Sequence, residues 1–244
     1  MLVPTLLLLL SAYQYGGTFI GAVICSDGIV VASDSRSTFM DGQGKAFAYL
    51  DGMPKIYVDR GAAVAFSGMT SLDGELLSSF VARNPYLLAP PVNDILVGFL
   101  LHMPFANTAG VAMISAGFLD GTPMICVKSL IDPQTCSSSG FIATKSSPLL
   151  RDTLARLPVR PTVAEARAAL KAAIEESSKT DSTVGGPISI LMLIHDGPLQ
   201  WSGALLSDGG LSQICDLIHR RRGDIVAIGS QQDLDLHLSA ACPN

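Results

Sequence analysis

The feature that most constrains this chain is a set of short segments with no charged residue and almost no polar one. Thr18–Cys25, Ile29–Ser33, Ala62–Ser67 and Ile188–Ile194 are the clearest. Runs of this length, bounded by turn signals, fit strands of sheets covered on both faces; a solvated sheet would alternate apolar and polar residues. Asp27-Gly28 joins the first two, Asp59-Arg60-Gly61 joins Ile56–Val58 to Ala62–Ser67, and His195-Asp196-Gly197 joins Ile188–Ile194 to Leu199–Ala204. Gly110–Ala116 and Met124–Lys128, around Asp120-Gly121, form a further strand pair. Ser37–Pro54, polar and glycine-bearing, reads as a loop.

Helical spacing appears between these runs. Ser71–Arg83 carries Leu72, Leu76, Leu77 and Phe80 on one face, and Val92–Met103 is apolar around most of its circumference, as in a buried helix. Pro148–Leu157 is a third. Thr162-Val163-Ala164-Glu165 is a capping box opening a helix that runs to about Ser178. No linker or repeat divides the chain, so 18–244 reads as a single α+β domain. Residues 1–17 stand apart. Leu2–Ala12 is almost wholly apolar, too short to span a bilayer, and fits either a signal segment or a propeptide.

Of the 244 residues, 48% are hydrophobic and 15% charged, which excludes disorder and favours a chain partly covered by neighbouring subunits. A net charge of −5 gives no electrostatic footprint for nucleic acid. The five cysteines are scattered, with no C-x-x-C pair, no zinc spacing and no implied disulfide framework. The histidines His102, His195, His219 and His237 have no partner at metal spacing. No serine-hydrolase elbow, phosphate loop or dinucleotide fingerprint occurs.

The block from Thr18 through Asp34 to Arg36 resembles the opening of mature proteasome β-subunits and of their bacterial relatives HslV and Anbu. In those families a threonine begins the mature chain and an acidic residue follows sixteen positions later, as Asp34 follows Thr18 here. Gly16-Gly17 suits a precursor cut between glycine and threonine. The chemistry explains the placement. A threonine hydroxyl needs a base, and an α-amine with an ordinary pKa of about 7.7–8.0 can serve once the chain begins at that residue.

The resemblance implies further positions. Lys55, before Ile56-Tyr57-Val58, matches the lysine beside the nucleophile, with Lys45 the less fitting rival. It stands about five residues later than usual, which implies an insertion between Ser37 and Pro54. Gly68, after Ala65-Phe66-Ser67, would offer its N–H to an oxyanion. Asp181, before Gly185-Gly186, matches a supporting acid. The serine expected three residues after it is Val184, leaving Ser182 or Thr183 to substitute. Ser139 stands for a second supporting serine. Phe19 replaces a second threonine at a position facing away from the chemistry. The stretches Thr144–Leu150 and Val184–Ile188 are closest to the Anbu-like relatives.

What this implies is a four-layer αββα sandwich of two antiparallel sheets, the N-terminal nucleophile hydrolase fold. It would carry out threonine peptidase chemistry on peptide or unfolded-protein substrates without a cofactor. A homo-oligomeric ring, an ATPase partner and a cytoplasmic location follow from the same resemblance. Export is the alternative if residues 1–17 act as a signal. A non-catalytic subunit and a small-molecule amidase are the rival functions.

Overall fold

The computed structural model describes residues 18–41, 43–59, 61–68, 70–72, 74–102, 111–129, 132–144, 152, 155–202 and 210–242. The segment 1–17 lies outside them, as does most of the helix expected at Pro148–Leu157, where Arg156 N donates to Asp152 O at 3.2 Å. The chain is α+β, with antiparallel sheets and, among the described residues, five α-helices.

The apolar runs become the two five-stranded sheets. The first has the order β12-β1-β2-β13-β14, from Phe141–Ala143, Ile20–Ile24, Ile29–Ser33, Ser189–Leu193 and Gln200–Ser202. The second has the order β11-β10-β9-β6-β5, from Thr135–Ser137, Thr122–Ser129, Ala112–Leu119, Ala62–Ser67 and Ile56–Asp59. Ile20, Ala22, Val31 and Leu191 from the first sheet share a buried cluster with Ile56, Ala63, Ala65, Ile114 and Ile125 from the second. The alternate residues Phe19, Val23, Val30, Ala32 and Ile190 pack instead under α3 (Val163–Thr180). On the other sheet Val64, Phe66, Met113 and Cys126 meet α1 (Leu77–Arg83) and α2 (Ile95–His102). Successive residues of these strands thus face sheet and helix in turn, which is why they are apolar throughout. The capping box at Thr162 is present, with Glu165 N donating to Thr162 Oγ1 and Thr162 N to Glu165 Oε2.

Three expectations are corrected. Ser37–Pro54 is not a loop: Ser37–Met40 (β3) and Ala46–Leu50 (β4) form a hairpin that joins β15 (Val226–Ala227) in a three-stranded sheet. Its inward residues Phe39, Phe47 and Leu50 pack against α4 (Ile214–Arg220) and α5 (Gln231–Ala241) through Leu217, Ile218, Leu234 and Leu238. The C-terminal stretch is therefore a closing layer for this hairpin. Ser71–Leu76 pairs as the short strands β7 (Ser71–Leu72) and β8 (Glu75–Leu76), so helix α1 starts only at Leu77. Thr135–Ser137 (β11) is a further strand, outside those expected from the sequence. Two disulfides are formed, Cys126–Cys136 between β10 and β11 and Cys215–Cys242 between α4 and the end of α5, leaving Cys25 free and buried.

Candidate active site

Asp34 follows the last residue of β2 and is fully buried. Its Oδ1 accepts from Phe19 N at 2.8 Å and from Lys55 Nζ at 3.1 Å. Its Oδ2 accepts from Lys55 Nζ at 3.2 Å and from the backbone N–H groups of Arg36 and Gly185, both at 3.1 Å. A carboxylate removed from water requires this many donors and a charged partner. Lys55, also fully buried, stands just before β5 and donates a further bond to Arg36 O at 2.6 Å. One carboxylate oxygen therefore joins the amide immediately after Thr18 to the lysine ammonium.

Thr18 is itself buried, and its carbonyl accepts from Ser67 Oγ at 3.1 Å. Phe19 packs under α3, so Thr18, one position earlier, belongs to the strand face between the sheets. Gly68 follows Ser67 with φ +90°, a conformation that disfavours any side chain. Thr18, Asp34, Lys55 and Gly68 thus gather at one end of the paired sheets.

The other two expected residues are placed differently. Asp181 caps the C-terminus of α3, and its Oδ1 accepts from Thr183 N at 2.9 Å and from the Thr183 hydroxyl. Thr183 thus supplies a hydroxyl to Asp181 where Val184, fully buried under α3, cannot. Ser139 is exposed in the turn between β11 and β12, its carbonyl accepting from Ser137 Oγ. The next residue, Gly140, receives Ile24 N, so Ser139 lies beside the far end of β1, roughly 20 Å of strand from Thr18. Thr144 occupies the near end instead: Thr144 N donates to Ile20 O at 3.0 Å and Thr144 Oγ1 accepts from Ile20 N at 3.3 Å. The Thr144–Leu150 stretch, read only as a family likeness, was the available signal for it.

Sequence reasoning missed a second tier. The Arg36 guanidinium makes a bidentate pair with Asp51, with Nε–Oδ1 2.8 Å and Nη2–Oδ2 3.0 Å, and lies 3.7 Å from the centroid of the Tyr49 ring. The hydrogen bond to Asp51 raises the Arg36 pKa. Gly185 and Gly186 are glycines because this tier leaves no room: a Cβ at Gly185 would lie 2.6 Å from the Arg36 guanidinium carbon, and one at Gly186 2.7 Å from Ser35 Oγ. Cys25 plays no part, since burial first and then Asp27 push its thiol pKa up to about 12.

No protein-family model matches the chain, and no curated protein does. Among solved structures it is similar to an Anbu (Gly-1) mutant from Hyphomicrobium sp. strain MC1, with TM-score 0.59 over 77% of this chain and 87% of that one. The two chains are 14% identical, so the likeness is one of fold.

Proposed function

We propose that this chain is a threonine peptidase of the proteasome β-type, inactive until the Gly17–Thr18 bond is cut. The observation that carries the reading is Asp34 Oδ1, shared between the amide that follows Thr18 and the buried Lys55 ammonium. In the cleaved chain the Thr18 α-amine takes the proton as Thr18 Oγ1 attacks a peptide carbonyl carbon. The Lys55 cation favours the neutral amine by lowering its pKa. The oxyanion meets the Gly68 N–H, where a preorganised donor is worth several kcal/mol. Collapse breaks the C–N bond, and the ammonium returns its proton to the departing amine, leaving an acyl ester on Thr18. Water, deprotonated by the same amine, then releases the acid and restores the hydroxyl.

In this reading the paired sheets with their outer helices are the four-layer αββα sandwich of N-terminal nucleophile hydrolases. Asp181 with Thr183, and Thr144, support the amine side of the site, and Ser139 has no role. The molecule works as a homo-oligomer on peptide or unfolded-protein substrates. Intact mass and N-terminal sequencing test it directly: the mature chain should begin at Thr18, and a threonine-directed electrophile should add once. Thr18→Ala should remain full-length and unlabelled. A full-length, unlabelled wild-type protein would favour a non-catalytic subunit, and turnover of small amides without peptides would favour an amidase.

A further inference from the structure

We propose that Arg221, in the C-terminal closing layer, is a positioning residue for the Asp34–Lys55 pair, acting through Asp51 and Arg36. The argument starts at Arg36, whose main chain both partners of the buried pair hold: its N–H donates to Asp34 Oδ2 and its carbonyl receives Lys55 Nζ at 2.6 Å. The Arg36 backbone is held in turn by its side chain, clamped by the Asp51 carboxylate, with Nη1 donating to Ser182 O at 3.0 Å in the loop before Gly185.

Asp51 begins the link from β4 to Lys55. That link turns through Gly52 at φ +88°, and its other ties run to the same segment, Gly52 N to Ser35 Oγ and Met53 N to Ser35 O. Arg221 approaches from outside: its Nη2 donates to Asp51 O at 3.1 Å while its Nε pairs with Asp224 Oδ2 at 3.0 Å. Arg221 caps α4, the helix that Cys215–Cys242 ties to α5 and that packs on β3 and β4 through Leu217 and Ile218. Its Nη1 is buried with no acceptor among the described residues, a cost that a guanidinium placed only for surface charge would avoid. Among the described residues this hydrogen bond, beside the packing of Met53 in the same cluster, connects the closing layer to the link that carries both Arg36's partner and Lys55.

The inference rests on the threonine-peptidase reading only for its kinetic consequence, and amide exchange tests it without any turnover. The Phe19, Arg36 and Gly185 N–H groups all donate to Asp34, so their hydrogen exchange reports on that carboxylate's setting. Arg221→Met should speed exchange at these three amides at least tenfold. Arg221→Lys, which keeps a donor, should stay within about threefold of wild type. Asp51→Asn, which weakens the clamp without touching α4, should reproduce the Met result, and Arg221→Gln, too short to reach Asp51 O, serves as the decisive variant if Arg221→Met does not fold. Faster exchange confined to 210–242, or no change at the three amides, would overturn the proposal. Relative to mature wild type, the acidic limb of the kcat/KM profile should move in Arg221→Met and return in Arg221→Lys. A wild type that neither matures nor turns over peptide sinks the peptidase reading and leaves the exchange result to decide this one.

Discussion

Both oxygens of Asp34 are committed, to three backbone N–H groups and one ammonium, and neither side chain of the Asp34–Lys55 pair meets water. The stability of such a pair is asymmetric. Removing one partner leaves a buried charge without its counter-ion, at a cost of about 3–5 kcal/mol, whereas removing both charges can be nearly neutral. Lys55→Met should therefore lower the urea-unfolding free energy by about 3–5 kcal/mol. Asp34→Asn combined with Lys55→Met should recover much of that loss while leaving the site inactive. A single Lys55→Met variant within about 1 kcal/mol of wild type would show that the three backbone donors alone hold the Asp34 charge. Asp34 was legible in the sequence from its sixteen-residue register with Thr18, and Lys55, out of the usual register, from the apolar strand Ile56-Tyr57-Val58 that follows it. Asp51 and Arg221 were not, because an ion-pair tier assembled from a hairpin end and a distant helix cap leaves no local pattern.

Elements fixed by a continuous apolar run or a local cap were read correctly, and the hairpin covered by distant residues was not. Ile29–Ser33 and Ala62–Ser67 fold as strands with the bounds expected from their apolar runs, and the Thr162 capping box lies within four residues of chain. The β3–β4 hairpin was misread because the polar, glycine-bearing stretch 41–45 outweighed the short apolar runs Phe39-Met40 and Ala46–Leu50 on either side of it. Their partners Leu234 and Leu238 come nearly two hundred positions later, beyond any local periodicity. The placement of Ser139 and Thr144 is hidden for a related reason, since only the β1–β12 register sets which of them stands beside the start of β1. The contrast is measurable. Thr162→Ala removes one cap and should cost about 1 kcal/mol, whereas Leu238→Ala empties a buried position facing the hairpin and should cost about 2–5 kcal/mol. If the two losses in chemical denaturation came out alike, α5 would not be a structural lid on β3 and β4.

At the scale of the molecule, the two disulfides bear on environments that the sequence left open. Cys126–Cys136 fastens β11 to β10 just before the chain crosses to the other sheet as β12, and Cys215–Cys242 closes the C-terminal layer on itself. Disulfides persist in oxidising compartments and are rare in a reducing cytosol. Their presence therefore weighs toward export over the cytoplasmic location that the proteasome-like resemblance implies, and gives the Leu2–Ala12 run a use as a signal segment. With sequence separations of 10 and 27 residues, each bridge should contribute roughly 3 kcal/mol by restricting the unfolded chain. Protein from its native compartment should show no reactive thiol while folded near neutral pH, because the remaining Cys25 is buried with a pKa pushed up to about 12. After denaturation it should show one. The raised value also carries a sign: the fold disfavours the thiolate, so the Cys25 contribution holds below the unfolded thiol's pKa near 9 and is lost as pH climbs toward 12. Five thiols after denaturation would place the protein in a reducing compartment, and adding reductant would then leave its melting temperature unchanged. With the bridges in place, reductant should lower that temperature, and the loss should reach the Arg221 bond to Asp51 first, since α4 is held to α5 by one of them.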